Sequence, residues 1–419
     1  MLRVSTMRRV DRWIGVPVCL ALTLLARLAD RVKRILRPGN AAGSGGARVS
    51  SIVFIKLAEQ GSTVLAWPAI SNAIARVGRE HVYFVVFEEN RSVLDAVGWI
   101  APENVLAVST GGLWSVATGV FRVARRLRRL GVEAAIDLEF FARSSAILAY
   151  LSGANHRVGF HAWGGEAGYR GDLCTHRVPF NPYLHTTQAF EVLVDALDRS
   201  EEDFPAYDAL PPRPRPLPEF RPTTADVTRV RRTLNEAGWD GSSMVLLNAN
   251  ASDLIPLRRW PPERYVELAR RFLASYPSSS VVFTGAPGEA DATERLVRTV
   301  GSERCLSVAG KTSLRDLLTL YALSDVLVTN DSGPGHFAAL TPVDVVTLFG
   351  PETPALFGAL TSRSHALWAG LVCSPCLNAF NNRQSRCTNN VCMQQLTVDR
   401  VFEEVSRLYE LRRVSLPSG

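Results

Sequence analysis

Three short segments in the second half of the chain carry residue types that can handle an anionic leaving group. Thr329-Asn-Asp-Ser-Gly-Pro-Gly-His336 follows an apolar run and opens a helical one. Gly333, Pro334 and Gly335 shape a turn whose backbone N–H groups can face an anion. Asp331 and Ser332 can hydrogen-bond ribose or phosphate oxygens, and His336 can donate to a phosphate. A Gly/Pro turn with an ordinary helix N-cap would read the same way. The second segment, Gly285-Ala-Pro-Gly-Glu289, is another strand-to-helix turn, and its plain alternative is a capped helix start. The third, Arg258-Arg-Trp-Pro-Pro262, puts basic residues just before a helix. Its plain alternative is a surface arginine pair ahead of a proline at the first helical position. A fourth signal is Cys373-Ser-Pro-Cys376 followed by Cys387 and Cys392, close to a metal-ligand spacing. A structural zinc site, reduced or partly disulfide-bonded thiols, and an iron–sulfur cluster all remain open. Cys19, Cys174 and Cys305 are isolated and read as small apolar fillers.

These segments need rigid elements to position them. A short β-rich run over 50–56 is followed by the loop 57–61 and a helical pattern over 62–77. Strands are expected at 82–87, 105–108 and 134–138, with a basic amphipathic helix over 113–130. After a proline-rich stretch the alternation restarts, with strands at 244–247, 280–284, 325–329 and 344–349 and helices between them. Strand–helix alternation predicts doubly wound parallel sheets. The three loops of the second half all follow strands, so they are expected at one sheet edge. The expected architecture is α/β, with two Rossmann-like domains facing a cleft and an N-terminal membrane-associated helix. The boundaries are an anchor over 1–37, a flexible linker over 38–48, an N-terminal acceptor-binding domain over 49–204, a Pro-rich linker over 205–222, and a C-terminal donor-binding domain over 223–410.

Charge is distributed unevenly along the chain. The first 37 residues hold nine basic and two acidic side chains, which accounts for the whole net charge of +7. The rest is balanced, which argues against a nucleic-acid-binding body. The basic tail encloses an uncharged, mostly apolar run over 13–26. That run is shorter than the roughly 20 residues a spanning helix needs. An interfacial anchor on an anionic membrane, a cleaved signal peptide and an ordinary packed helix are the three readings. On the anchor reading, removal of 1–37 should leave a soluble, folded body.

The second-half loops resemble the C-terminal domain of glycosyltransferase family 9, the heptosyltransferase-like enzymes of GT-B fold. The resemblance rests on Asn330-Asp-Ser-Gly-Pro-Gly-His336, Phe349-Gly-Pro351, Arg258-Arg-Trp-Pro261 and the loop from Gly285 to Glu289. In the first half, Lys56-Leu-Ala-Glu-Gln-Gly61, Pro68-Ala-Ile70 and Arg157-Val-Gly-Phe160 are similar to the family too, so the likeness covers roughly 50–408. It implies an inverting, metal-independent transfer of a heptose-like sugar from an ADP-heptose-like nucleotide sugar to a glycolipid or glycan acceptor, usually the lipopolysaccharide core. It implies a donor site built from Arg258, Glu289, Asp331, Ser332, Gly333, Gly335 and His336, an acceptor-side loop at Gly61 and Ser62, and no catalytic cofactor. The family also carries a similar cysteine set. A place on the cytoplasmic face of a bacterial inner membrane follows from the nucleotide-sugar supply.

One departure stands out. The family usually places an aspartate, the base, directly after the loop glycine, whereas this chain has Ser62. A hydroxyl is no base near neutral pH. Glu59 in the same loop, or Glu139 at the end of a neighbouring strand, could replace it, and each reads equally as a solvated loop acid. Two other functions therefore stay open: a catalytically silent membrane-bound sugar-nucleotide scaffold, and another GT-B enzyme such as a sugar-nucleotide epimerase.

Overall fold

The computed structural model describes residues 4–36, 49–162, 168–199, 217–251 and 255–415. The linker expected over 38–48 and residues 205–216 of the Pro-rich stretch lie outside them. The chain divides into two compact units. One is Met1–Arg215 with Ala379–Arg383, and the other is Pro216–Asn378 with Gln384–Gly419. A short segment from late in the sequence thus belongs to the first unit.

The first unit is built on six parallel strands: β1 (Ile52–Ile55), β2 (Val82–Phe87), β3 (Val105–Val108), β4 (Ala134–Asp137), β5 (His156–His161) and β6 (His176–Pro179). Their order is β3-β2-β1-β4-β5-β6. Every residue of β1, β2 and β4 is buried, so these strands read as continuous apolar runs, as expected of a sheet covered on both faces. Among the described residues this unit has eight α-helices: α1 (Val4–Trp13), α2 (Gly15–Leu36), α3 (Gln60–Leu65), α4 (Trp67–Val77), α5 (Arg91–Val97), α6 (Leu113–Leu130), α7 (Arg143–Leu151) and α8 (Thr186–Asp195). Val53, Ile55, Val85 and Phe87 form one core with Val123 and Leu127 of α6 and Leu148 of α7. The alternate residues, such as Phe54 and Phe84, point to the other face, where α4 packs on β2 and α8 on β5. The single helix expected over 62–77 is two helices. Pro68 sits in the first turn of α4 and cannot donate into a continuous ladder.

The N-terminal helices are docked by one face. Asp11 Oδ1 accepts the backbone N–H groups of Arg143 at 3.0 Å and Ser144 at 2.9 Å. It therefore caps α7, whose own flanking residue Ala142 offers no side-chain cap. Cys19 packs with Ala146 and Leu173, and Thr23 Oγ1 accepts the Asp172 N–H at 3.0 Å. Arg27 pairs with Asp172. This packing joins the N-terminal helices to the first unit. The opposite face of α2 leaves Leu20, Leu24, Leu25 and Leu28 exposed. The stretch Arg9–Ala29 is long and apolar enough to cross a membrane by length and composition.

The second unit repeats the plan. Its strands are β7 (Ser243–Asn248), β8 (Ser279–Phe283), β9 (Cys305–Ser307), β10 (Val326–Asn330), β11 (Asp344–Phe349) and β12 (Ser364–Trp368), all parallel, in the order β12-β11-β10-β7-β8-β9. Its helices are α9 (Thr224–Glu236), α10 (Pro262–Ser275), α11 (Ala290–Val300), α12 (Leu314–Ala322), α13 (Gly333–Ala338), α14 (Pro354–Phe357), α15 (Val391–Gln394) and α16 (Val398–Ser415). Capping boxes start α9, through Thr223 and Asp226, and α12, through Ser313 and Asp316. Val245, Leu247, Val281, Phe283, Val328 and Val346 share a core with Trp260, Phe272 of α10 and Tyr409 of α16.

In each unit the chain winds outward from a central strand in one direction and then in the other. The reversal falls between β1 and β4 in the first sheet and between β7 and β10 in the second. Such switch points leave a crevice beyond the carboxyl strand ends, the usual ligand position in open α/β sheets.

Candidate functional site

At the switch point of the second sheet, Asn330 closes β10. Its Oδ1 accepts the Trp260 N–H at 2.9 Å, and its Nδ2 donates to the carbonyls of Ala249 at 3.2 Å and Asn250 at 3.1 Å. Asn330 therefore ties the β10 end to the long loop after β7. Trp260, whose Nε1 donates to the Leu396 carbonyl at 2.7 Å, is fully buried scaffold. That loop carries Arg258, which is 8% exposed. Its Nη1 lies 3.5 Å from Glu352 Oε2 and 3.9 Å from Asp331 Oδ2. Arg258 Nε and Asn250 Nδ2 are buried without a hydrogen-bond partner among the described residues. Unsatisfied buried donors beside a cation are costly unless something polar meets them.

The turn after β10 has a shape of its own. Asp331 is buried, and its N–H donates to the Leu348 carbonyl at 3.0 Å. Ser332 precedes α13 in an extended conformation, but its Oγ donates to the Asn330 carbonyl at 3.1 Å instead of capping the helix. Gly333 opens α13, and a Cβ on Gly335 would lie 3.2 Å from Thr347 Oγ1, so only a small residue lets the turn sit this close to β11. His336 is buried in the same turn. On the loop after β8, Glu289 Oε2 accepts the Ala286 N–H at 2.7 Å and so caps its own turn. A Cβ on Gly285 would lie 2.9 Å from Asn250 Nδ2 and 3.3 Å from Glu289 Oε2, which puts this loop against the Asn330 network. Arg258 and Asp331 are thus brought together, with Gly285 and Glu289 adjoining through Asn250. Glu352 was missed in the sequence. The available signal was an acid directly after the strand-end Phe349-Gly-Pro351; the structure buries it fully.

The switch point of the first sheet gathers the other candidates. Lys56 follows β1 and is fully buried. Its Nζ donates to Glu139 Oε2 at 3.0 Å and to the Ala58 carbonyl at 2.7 Å, and lies 3.7 Å from Glu59 Oε2. Glu139 Oε1 accepts the Ala58 N–H at 2.9 Å, so both of its oxygens are engaged. Glu59 adopts a left-handed backbone, φ 68°, at the start of α3. Its Oε2 accepts the Ser62 hydroxyl at 3.0 Å, and its Oε1 is held by Arg383, from the segment that returns to this unit. Gly61 lies between them in the first turn of α3. Beneath Glu139, Asp137 accepts the Glu139 N–H at 3.0 Å and the Ser145 hydroxyl at 2.9 Å and pairs with buried Arg170. Burial pushes the Asp137 carboxyl up against the pull of Arg170. Phe140 stacks on Phe160 and Phe190 beside this site, Phe180 meets Phe140 and Phe160 edge-on, and Phe380 stacks on Phe141.

The four late cysteines share one neighbourhood. Burial raises the Cys392 thiol, and Cys376, Cys387 and Cys373 are close enough to raise it further. No disulfide forms among the described residues, and no three of their His, Cys, Asp or Glu side chains make a group suited to a metal ion. As arranged, the thiols do not fit a zinc ligand set.

Two doubly wound units, each with charged side chains gathered at its switch point, define an α/β protein of GT-B type. The chain belongs to glycosyltransferase family 9 (heptosyltransferase), whose sequence signature matches residues 120–385. It is 25% identical over 228 residues to lipopolysaccharide heptosyltransferase 2 of Escherichia coli K12, covering 53% of this chain and 61% of that protein. Matches to relatives from Salmonella typhimurium and Campylobacter jejuni span 32% and 52% of their lengths. Among solved structures, E. coli ADP-heptose lps heptosyltransferase II superposes with a TM-score of 0.64 at 19% identity, covering 87% of this chain and 99% of that one. The E. coli heptosyltransferase WaaC with ADP gives 0.56 at 17% identity, covering 85% and 99%.

Proposed function

We propose that the protein is an inverting, metal-independent glycosyltransferase that moves a heptose-like sugar from a nucleoside-diphosphate donor to a lipopolysaccharide-core or related glycolipid acceptor. The observation that carries this reading is Arg258. It is a buried cation with an unsatisfied donor, held between Asp331 and Glu352 at the switch point of the second sheet, in a chain of this family. The names of its relatives support the sugar and the acceptor class. The WaaC complex supports an adenosine diphosphate donor.

The chemistry follows from the charges. Breaking the sugar–phosphate bond leaves negative charge on the nucleoside diphosphate, and Arg258, His336 and the N–H groups of Ser332 and Gly333 stabilise it as it develops. Asp331, an acid on Arg258, holds the turn or meets ribose hydroxyls. In the first unit, a carboxylate takes the proton of the acceptor hydroxyl as its oxygen bonds to the anomeric carbon. Glu59 is the better candidate. It is less enclosed than Glu139, with side-chain exposures of 23% and 13%, although Arg383 pairs with it as Lys56 pairs with Glu139 at 3.0 Å. The N-terminal helices serve as an interfacial anchor on the cytoplasmic membrane face. A spanning arrangement would strip Asp11 from α7 and Cys19 from its pocket.

The test is turnover of a panel of nucleotide sugars with membrane glycolipid acceptor, with product stereochemistry read by NMR. Release of ADP with an inverted glycosidic product supports the reading. Donor binding without turnover, the outcome that Ser62 makes worth testing, would favour the silent scaffold. Epimerised free donor would favour the epimerase.

A further inference from the structure

We propose that α6 is a second membrane-contact element, which lays its exposed face on an anionic lipid surface beside the N-terminal helices. This rests on the reading of the protein as a peripheral membrane enzyme. Val116, Val120, Val123 and Leu127 turn into the core at helical spacing. That leaves the outward stripe to Leu113, Trp114 and Phe121, which are 49%, 84% and 67% exposed. An indole and a phenyl ring are thus held out into water on a helix that already has its core contacts.

The charge pattern selects the partner. Helix α6 contains five arginines and no acid. Arg122, Arg125, Arg126 and Arg129 are exposed, and none is in an ion pair among the described residues. Apolar rings over the first half of the stripe and guanidinium groups over the second are what an interfacial helix presents to acyl chains and anionic headgroups. Position in the fold agrees. Helices α6 and α7 pack side by side on one face of the sheet, and α1 and α2 dock on α7. Met7 of α1 packs on the same core as Val116 and Val120. The exposed leucines of α2 and the exposed rings of α6 therefore flank one helix, α7, and a single surface can reach both.

The experiment uses the full chain and sedimentation with vesicles of phosphatidylcholine, with and without phosphatidylglycerol. Wild type should bind the anionic vesicles. Trp114→Ser with Phe121→Ser should weaken that binding roughly tenfold or more. Arg122→Gln, Arg125→Gln, Arg126→Gln and Arg129→Gln together should remove the preference for phosphatidylglycerol, at roughly fivefold per charge. As a second readout, brominated lipid should quench tryptophan fluorescence less in Trp114→Phe than in wild type. Leu24→Ser with Leu28→Ser tests the N-terminal anchor separately. If that variant loses binding while both α6 variants bind like wild type and Trp114→Phe is quenched as before, α6 is not a contact and the peripheral reading stands. If wild type binds neither vesicle, both readings fall.

Discussion

The Ser62 hydroxyl donates to the Glu59 carboxylate at 3.0 Å, so the position where relatives are expected to hold an acid here orients one supplied three residues earlier. The left-handed backbone at Glu59 is what turns its side chain back over α3. Non-glycine residues pay for that conformation, and such outliers concentrate at functional positions. Glu59→Gln should lower kcat by about a hundredfold or more while donor affinity stays unchanged. Ser62→Ala should cost less, since the carboxylate survives with Arg383 still on it. The check is steady-state kinetics beside donor titration. Full activity in Glu59→Gln would move the base to Glu139.

Arg258 should matter to both binding and stability. Removing it takes away the cation for the leaving diphosphate and leaves Glu352 buried without that partner. Arg258→Ala should lower turnover by about a hundredfold and destabilise the second unit by about 3 kcal/mol. Glu352→Gln should cost less stability, because the remaining cation keeps Asp331. His336→Ala should weaken donor binding or turnover with little change in melting temperature. Thermal melts with and without ADP separate these outcomes, since a bound ligand adds stability according to its concentration over Kd.

Much of this was legible in the sequence, because strand periodicity and turn chemistry are local. The short β-rich runs at Val82–Phe87 and Asp344–Phe349, bounded by helical patterns, read as strands of a doubly covered sheet. The loop residues that follow such strands then had to share an edge. What was not legible depends on long-range partners. Nothing near Glu59 in sequence announces Arg383, more than three hundred residues away. The role of Asn330 as a tie between loops, rather than a ligand group, appears only once β7 and β10 are neighbours. The contact of Asp11 with α7 likewise joins residues far apart in sequence. Helix α16 has a weak apolar stripe, and the core it shares with α10 comes from strands far upstream.

Asp226 gives a pH prediction. It accepts hydrogen bonds from Arg315 Nη2 at 2.7 Å, Arg229 Nη2 at 2.7 Å and the Thr223 hydroxyl at 2.7 Å. Arg315 above all holds its carboxyl well below the usual carboxylate range. A depressed folded value means the unfolded chain takes up the proton first. Its contribution is therefore present above about pH 4, the unfolded value, and fades as pH falls further. Asp226→Asn should be less stable than wild type at pH 7. The gap should shrink as pH drops from 4 toward 2. Urea unfolding at each pH measures it, and a gap independent of pH would show that the ionised carboxylate is not what matters.

The cysteines should differ in reactivity. Cys373 and Cys387 are exposed, whereas Cys19, Cys305 and Cys392 are buried. Burial pushes the Cys19 thiol up to about 11 and the Cys305 thiol to about 12, so neither yields much thiolate near neutral pH. In native, reduced protein, maleimide should modify Cys373 and Cys387 first, with Cys19 and Cys305 reacting only on unfolding. Peptide mass mapping over time reads the order. Added zinc that protected Cys373 and Cys387 together would show that the loop can rearrange into a ligand set.

The N-terminal helices should prove part of the fold. Asp11 supplies two acceptor bonds to the first turn of α7 and pairs with Arg143 Nη1 at 3.1 Å. Loss of a cap typically costs about 1 kcal/mol, and here the buried Arg143 also loses its counter-charge. Asp11→Ala should therefore lower the stability of the first unit by about 1–2 kcal/mol. Deleting residues 1–36 should do more. It also uncovers Ala146 and Leu173 and strips Thr23 from the Asp172 N–H. The truncated chain should melt earlier and bind a hydrophobic dye, whereas a detachable anchor would leave both readings unchanged. Leu24→Ser with Leu28→Ser, on the exposed face of α2, should leave the melt as it was. A deletion that melts like the full chain would mean that α1 and α2 rest on the unit without supporting it.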